Sequence, residues 1–415
     1  MKKNVVKFLL LLSLMHLFYT IDLAKTAFVS SPIIDLIGNV ANSFYPNLNV
    51  STSYDSIPLC GGGTNPFIAC PRIHQLLFNE TVEILEEKGE EVKIALPHLF
   101  YSTASSTTPH NTYWTQKKHL VSFDELEAHQ AHQDYIPPGC NFLSKEKKYD
   151  TSNVITLFMP FYDPITKKTY SAGTRFIQVA TTQKNDSSSS VFAFDTNTFS
   201  FKKIKLPAHL CMLSIPIKKQ EKVKVFVNIL KRWAHLKEGF IPYVWGGSSF
   251  AQTYNAPFHE VITQQQNATK TSYFTFNTTK NSVKNGFDCA GIISRAAQMC
   301  WIPYFFKNTT TLAANLREIQ SKELIEAGDL IWIPGHVMIV SDLKKNSLIE
   351  ARHYSHGYGK VHEIPLSEEF KDMNTYHDLL EAFHAKKPLV RLDKQGGIKE
   401  VIPQFKILKL ASVWE

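Results

Sequence analysis

Residues 286–301 read GFDCAGIISRAAQMCW and predict a helix that begins at a cysteine. Ile292 and Ala296 recur at the spacing of one helical face, and Asp288 suits the position just before a helix. Cys289 therefore falls in the first turn, where the positive end of the helix dipole favours a thiolate and lowers the thiol pKa. Because the thiolate is the reactive form, this position suits a nucleophilic cysteine.

A second stretch puts a histidine at the start of a strand. Residues 327–342 read AGDLIWIPGHVMIVSD and predict two strands, the second of which begins at His336. A short turn leads to a third strand over residues 347–352. Since side chains alternate between the faces of a strand, His336 and Glu350 share one face when the hairpin pairs conventionally. Glu350 is then placed to orient the imidazole, as the third member of a catalytic triad does.

Each of these residues also has a purely structural interpretation. A single cysteine at a helix start is usually a small buried side chain, and a single histidine on a strand is usually structural. Glu350 taken alone is a solvated strand residue. The combination favours catalysis, because Cys289, His336 and Glu350 follow one another on a helix start and two neighbouring strands.

The composition is that of a globular protein. The chain has 415 residues, 44% of them hydrophobic and 20% charged, which suggests two to four domains. The net charge of +8 is spread along the chain, so it does not indicate a nucleic-acid binder, although it would help the approach to an anionic polymer. Six cysteines are too few for a disulfide scaffold, although Cys60 and Cys70 could pair. No metal-binding Cys/His spacing occurs, so neither a metal nor another cofactor is expected.

The N-terminus predicts export. Lysines within residues 2–7 lead into an apolar run over residues 8–19, which is shorter than the ~20 residues of a membrane-spanning helix. This pattern indicates a signal peptide over residues 1–27, with a cut near Ala24 or Ala27, and an uncleaved N-terminal anchor is the alternative. No later segment is long enough to span a membrane. The mature chain is therefore expected in the periplasm, in the cell envelope or outside the cell.

Short strands precede the catalytic stretches. QLLFNETVEILEEKGEEVKIALP, from Gln75, alternates apolar and polar residues on both sides of a turn at Gly89 and predicts a hairpin. The expected organisation is a β-rich region at 31–148, a second at 149–220, a catalytic region at 221–385 with a long polar insertion at 251–286, and a C-terminal extension at 386–415. The extension contains a strand candidate, Phe405–Val413, that the sequence assigns to no domain.

Four motifs together resemble those of the NlpC-type family, papain-like cysteine endopeptidases of bacterial cell walls. They are Tyr243-Val-Trp-Gly-Gly247, Asp288-Cys-Ala-Gly291, Gly328-Asp-Leu330 and Gly335-His-Val337. They are similar to the family's Tyr-x-Trp-Gly-Gly, Asp-Cys-Ser-Gly, Gly-Asp-Leu and Gly-His-Val, and the resemblance covers about residues 221–370. The stretch from Gln75 resembles the first bacterial SH3-like domain of some members. The resemblance thus implies an α+β fold in which two small SH3-like β-barrels precede a papain-like catalytic domain.

The resemblance also implies roles for single residues. Cys289 attacks the scissile carbonyl, and His336 takes the thiol proton and returns it to the leaving amine. Glu350 stands where the family has a polar orienting residue, with His353 or His356 as alternatives.

The substrate-binding residues follow from the same motifs. Tyr243 and the backbone N–H of Cys289 bind the oxyanion, Trp245 lies at the substrate, and Asp288 holds the substrate's free amine. The implied substrate is peptidoglycan, cut by a monomeric enzyme at the γ-D-glutamyl bond to a diamino acid. Trimmed muropeptides with a free N-terminal L-alanine are the preferred form.

Three departures keep other functions open. Ala290 replaces the usual serine, the insertion at 251–286 is far longer than the family's loop, and glutamate is an unusual third residue. A catalytically degenerate module that binds cell walls or glycans is one alternative. An amidase or acyltransferase on the same scaffold is the other.

Overall fold

The computed structural model describes residues 25–40, 72–103, 106–138, 153–179, 188–212, 218–253, 285–353 and 358–415. These residues form a mixed α/β structure with many strands and few helices. Four sequence predictions lie wholly or mostly outside them: the signal segment, the Cys60–Cys70 pair, the insertion and His356.

The first β-rich region forms an open sheet. Its strands run in the order β3-β2-β8-β5-β4-β1-β9, and β6 and β7 form a separate hairpin. The bounds are β1 (Lys25–Val29), β2 (Ile33–Ile37), β3 (Arg72–Leu77), β4 (Thr81–Lys88), β5 (Glu91–Ala95), β6 (Tyr101–Thr103), β7 (Ser106–His110), β8 (Thr112–Gln116) and β9 (Leu120–Ser122), followed by helix α1 (Phe123–Ala128). The predicted hairpin at Gly89 is the β4–β5 pair. Ala27, placed by sequence at the end of the signal segment, is a buried residue of β1 and pairs with Val82.

The second β-rich region consists of three small sheets. β10, β13 and β16 form one, β11 pairs with β12, and β14 pairs with β15. The bounds are β10 (Val154–Leu157), β11 (Phe161–Asp163), β12 (Lys168–Tyr170), β13 (Arg175–Ile177), β14 (Ser188–Asp195), β15 (Ser200–Pro207) and β16 (Cys211–Met212).

The two expected barrels are not found, because no barrel closes among the described strands. Instead, the two regions share an apolar core. Phe28 of the first region meets Phe194 of the second edge-on, with ring centroids 5.3 Å apart. Phe78 and Tyr170 make a similar contact at 5.0 Å. Aromatic pairs of this kind add to the stabilisation that apolar burial provides.

The third region contains a five-stranded antiparallel sheet in the order β22-β21-β20-β19-β25. Its elements are α2 (Lys219–Ala234), β17 (Ser248–Ser249), β18 (Gly286–Phe287), α3 (Cys289–Met299), α4 (Thr309–Asn315), β19 (Leu330–Ile333), β20 (His336–Asp342), β21 (Ser347–Arg352), β22 (Lys360–Pro365), α5 (Leu366–Glu369), α6 (Tyr376–His384), β23 (Leu389–Leu392), β24 (Ile398–Ile402) and β25 (Lys406–Leu408). The C-terminal extension belongs to this region, because β25 pairs with β19.

Each face of this sheet buries a different apolar cluster. Val337 and Ile339 of β20 pack with Ile293 of α3 on one face. Met338 and Val340 pack on the other face, in the cluster that contains α6 and β23. The strict alternation along β20 follows from strand geometry. The strand β20 is therefore held from both sides, by α3 and by the C-terminal elements.

Candidate active site

The helix that carries the candidate nucleophile begins where the sequence predicts. Asp288 caps α3, with its Oδ1 accepting the backbone N–H of Gly291, and Cys289 is the first helical residue. A Cβ at Gly291 would collide with the carbonyl oxygen of Gly247, which also accepts the N–H of Asp288 at 3.1 Å. The Trp-Gly-Gly and Asp-Cys-Ala-Gly motifs are thus in direct backbone contact, which explains why both end in glycine.

The thiol of Cys289 is buried against the start of β20. The side chain is 7% exposed, and the nearby backbone N–H groups of Val337 and Ala290 favour its ionised form. Burial and the charge of Asp288 raise its pKa to about 12, and the lowering effect of Lys307 and of the two N–H groups does not outweigh them. The lowered pKa expected from the helix dipole is therefore wrong for this structure, because desolvation is the larger effect.

His336 directly precedes the residue whose N–H reaches this thiol. It starts β20 after the tight turn Pro334-Gly335, where Gly335 has a φ of +79° as a type II turn requires. In the pairing of β20 with β21, the first paired residues are Ile339 and Ile349, so His336 precedes the paired part of this hairpin. Burial and the charge of Arg391 lower the pKa of His336 to about 4, so the imidazole is neutral near pH 7.

Glu350 contacts the ring of His336, as the predicted face parity requires. The Nε2–H of His336 donates to Oε2 of Glu350 at 2.6 Å, and Glu350 is 0% exposed. Burial alone would raise the pKa of this carboxyl, but hydrogen bonds from His336 and His362 and the charge of Arg391 hold it well below its usual range. Since a carboxylate only accepts hydrogen bonds, the proton of neutral His336 lies on Nε2 and the free lone pair on Nδ1.

Three other predicted site residues, Tyr243, Trp245 and His353, pack around the candidate site. Tyr243 is buried and pairs through a backbone bridge with Phe287, two residues before Cys289. Its ring meets that of His353 edge-on at 5.3 Å, and burial lowers the pKa of His353 to about 4. Trp245 packs half-buried against the apolar cluster that contains Cys289. His353 thus lies near the site, while Glu350 is the residue that accepts the hydrogen bond from His336.

Asp288 already has a cationic partner. The Nζ of Lys307 lies 2.9 Å from Oδ2 and 3.0 Å from Oδ1 of Asp288, and the lysine is buried. Sequence reasoning missed Lys307, whose only signal is a single cation after the apolar run Tyr304–Phe306. A substrate amine at Asp288 has to share the carboxylate with this ammonium group.

The N-terminal sheet supports the loop and helix of the site. The buried guanidinium of Arg295 on α3 donates to the carbonyls of Gln75 and Ser248, both at 2.9 Å, and binds Glu80 at 2.5 Å. The backbone N–H of Lys307 donates to the carbonyl of Phe100 at 2.8 Å. The β-rich region therefore positions the elements that surround Cys289.

The described residues provide neither a metal site nor a membrane-spanning helix. No group of three or more His, Cys, Asp or Glu side chains there has the arrangement of a metal site. None of the helices in the same part of the chain combines the length and apolarity needed to cross a membrane.

Comparison with known proteins gives similarity at the level of structure. No protein-family model and no curated protein sequence matches the chain. It is similar to a solved NlpC/P60 family protein from Bacillus cereus, with 16% identity over 82% of this chain and 94% of that one and a TM-score of 0.48. An NlpC/P60 endopeptidase from Photobacterium damselae has 10% identity, 93% and 73% coverage and a TM-score of 0.45.

A third similar structure is the peptidoglycan hydrolase RipB from Mycobacterium tuberculosis. It has 21% identity, covers 36% of this chain and 62% of its own, and has a TM-score of 0.22. These three solved structures are described as NlpC/P60 proteins or as a peptidoglycan hydrolase.

Proposed function

We propose that this chain is an exported NlpC-type peptidoglycan endopeptidase that uses Cys289 and His336. One observation carries the proposal: His336, whose ring is held by Glu350 at 2.6 Å, directly precedes Val337, whose backbone N–H lies near the thiol of Cys289. A buried thiol, a neutral imidazole with its lone pair on Nδ1, and a carboxylate behind the ring form a nucleophile, a base and an orienting group.

The reaction proceeds through an acyl-enzyme. As Sγ of Cys289 attacks the scissile carbonyl, its proton passes to Nδ1 of His336. The oxyanion that forms is stabilised by Tyr243 and by the backbone N–H of Cys289. The C–N bond then breaks, and His336 returns the proton to the leaving amine. Water hydrolyses the thioester with His336 again as base. Proton transfer during attack suits the high thiol pKa, because little free thiolate exists at neutral pH.

The proposed bond is the γ-D-glutamyl linkage to the diamino acid of the stem peptide. Support comes from the four ordered motifs, since they resemble those of enzymes with this specificity. Muropeptides with a free N-terminal L-alanine are the proposed substrates. Their amine lies near the carboxylate of Asp288, which is also paired with Lys307.

Action on cell-wall material requires export. A cut near Ala24 would leave β1 intact, since this strand begins at Lys25.

Mass spectrometry of a defined muropeptide panel tests the proposal. The wild type should release products that begin with the diamino acid, and Cys289→Ala should release none. Cys211→Ala is the matched control, because Cys211 is a free, half-buried cysteine on β16. Full activity of Cys289→Ala would remove the nucleophile assignment. Binding to purified sacculi without any product from the wild type would favour the degenerate binding module, and transfer to an added amine would favour the acyltransferase.

A further inference from the structure

The carboxylate of Glu350 is the centre of a buried charged cluster that spans four strands. Oε2 accepts from Nε2 of His336 at 2.6 Å and from Nη2 of Arg391 at 3.1 Å. Oε1 accepts from Nε2 of His362 at 3.0 Å and lies 3.6 Å from Nη1 of Arg352. Glu350, on β21, therefore has one partner on each of β20, β22 and β23 and one on its own strand.

Arg391 joins this cluster from the C-terminal hairpin. It lies on β23, outside the 221–370 stretch that carries the family resemblance, and is 3% exposed. Its Nε binds Oε1 of Glu369 at 2.6 Å while Nη2 holds Glu350. The planar, rigid fork of an arginine can fix two carboxylates relative to each other, which a lysine cannot do. Arg352 also binds Glu369, which closes the cluster.

We propose that Arg391 is a positioning residue for the catalytic histidine, acting through the oxygen of Glu350 that both side chains share. This inference rests on the proposed role of His336 as the base. Because His336 and Arg391 meet the same oxygen, the guanidinium sets the direction from which the carboxylate accepts the Nε2–H. It also balances the charge of Glu350, which keeps the resting imidazole neutral.

Other titratable groups surround the pair of Arg391 and His336. Glu369 lies on α5, and burial followed by the charge of Glu350 raises its pKa. Glu400 on β24 lies 3.4 Å from Arg391. His353 contacts Tyr243, His362 binds Glu350, and the ring of Tyr358 lies 4.6 Å from the guanidinium of Arg352. Burial is the largest cause of the low pKa of His336, and the positive charge of Arg391 is the second. Removal of that charge should therefore raise the pKa of His336.

The test measures alkylation of Cys289 by iodoacetamide against pH in the full chain, with the modified peptide quantified by mass spectrometry. This readout requires no muropeptide. Arg391→Met should shift the acidic limb of the rate profile upward by about one pH unit or more, the scale on which a nearby charge acts. Arg391→Lys keeps the charge and should restore the limb. Arg317→Met is the control, since Arg317 pairs with Glu323 and Glu415 away from the cluster.

A second variant covers the case in which Arg391→Met does not fold. In Arg391→Met/Glu369→Gln, the glutamine replaces a carboxyl whose pKa, raised to about 8 by burial and by Glu350, already keeps it protonated across the acidic limb, so the same upward shift is expected. A profile identical to the wild type in either folded variant overturns the inference.

Muropeptide turnover then separates the two proposals. In folded Arg391→Met, kcat should fall by about 100-fold, the scale of a ~1 Å misplacement, with KM little changed. A wild type that alkylates with the expected profile but cleaves no muropeptide would refute the proposed function and leave the role of Arg391 standing.

Discussion

Substitution of Glu350 is the sharpest test of the proposed catalytic group. Glu350→Gln keeps the size of the side chain and one oxygen that can accept the Nε2–H of His336 at 2.6 Å. It removes the charge that stabilises an imidazolium. A hydrogen bond to a charged group contributes about 1–1.5 kcal/mol more than a neutral one, which corresponds to about tenfold in rate. We therefore expect kcat to fall by about tenfold.

The same substitution should lower stability. Glu350 is fully buried among Arg352, Arg391 and two histidines, so its loss leaves buried positive charge that Glu369 and the half-exposed Glu400 balance only in part. Breaking a buried ion pair on one side costs about 3–5 kcal/mol. For a region of this size, that corresponds to a melting temperature lower by about 6–20 °C. Glu350→Leu also removes the acceptor, and kcat should fall by about 10²–10⁴-fold, the contribution of an aligned general base.

Saturation kinetics on a defined muropeptide, together with thermal unfolding, measure both effects. Glu363→Gln is the control, because this β22 glutamate binds Ser341 and Ser347 and not His336. A folded Glu350→Leu variant with kcat within twofold of the wild type would refute the orienting role, and His353 would become the next residue to test.

Three further outcomes are expected. Gly291→Ala should destabilise the chain by about 3 kcal/mol or more in urea unfolding, because its Cβ meets the carbonyl of Gly247 and backbone cannot move aside; a loss below 1 kcal/mol would contradict the contact. Lys307→Met should slow alkylation of the nucleophile at pH 7, because Asp288 then acts on the thiol without its cation; an unchanged rate would speak against this effect. His336 is protonated below pH 6.5 when unfolded but only below about pH 4 when folded, so the free energy of unfolding should decrease as the pH is lowered from 6.5 to 4, by up to about 1.4 kcal/mol per pH unit. Urea unfolding of His336→Gln should show a smaller dependence on pH, and an equal dependence would count against the neutral ring.

Local signals in the sequence predicted the elements that carry the candidate site. The structure starts α3 at Cys289 with Asp288 as its cap and gives β20 and β21 the predicted bounds, 336–342 and 347–352. Caps, helical spacing and strand alternation depend on neighbouring residues, so they are legible without the fold. The face parity of β20 and β21 likewise predicted that Glu350 meets His336.

The sequence by itself therefore determined the helix start, the β20–β21 hairpin and the order of the four motifs. Tertiary structure alone decided that the N-terminal strands form an open sheet, that β25 completes the five-stranded sheet, and that Arg391 reaches Glu350. It also decided that the pKa of Cys289 is raised, because burial and the charge of Asp288 outweigh the charge of Lys307 and the nearby N–H groups. Strand pairing, burial and charge contacts join residues far apart in the chain, and no local pattern records such partners.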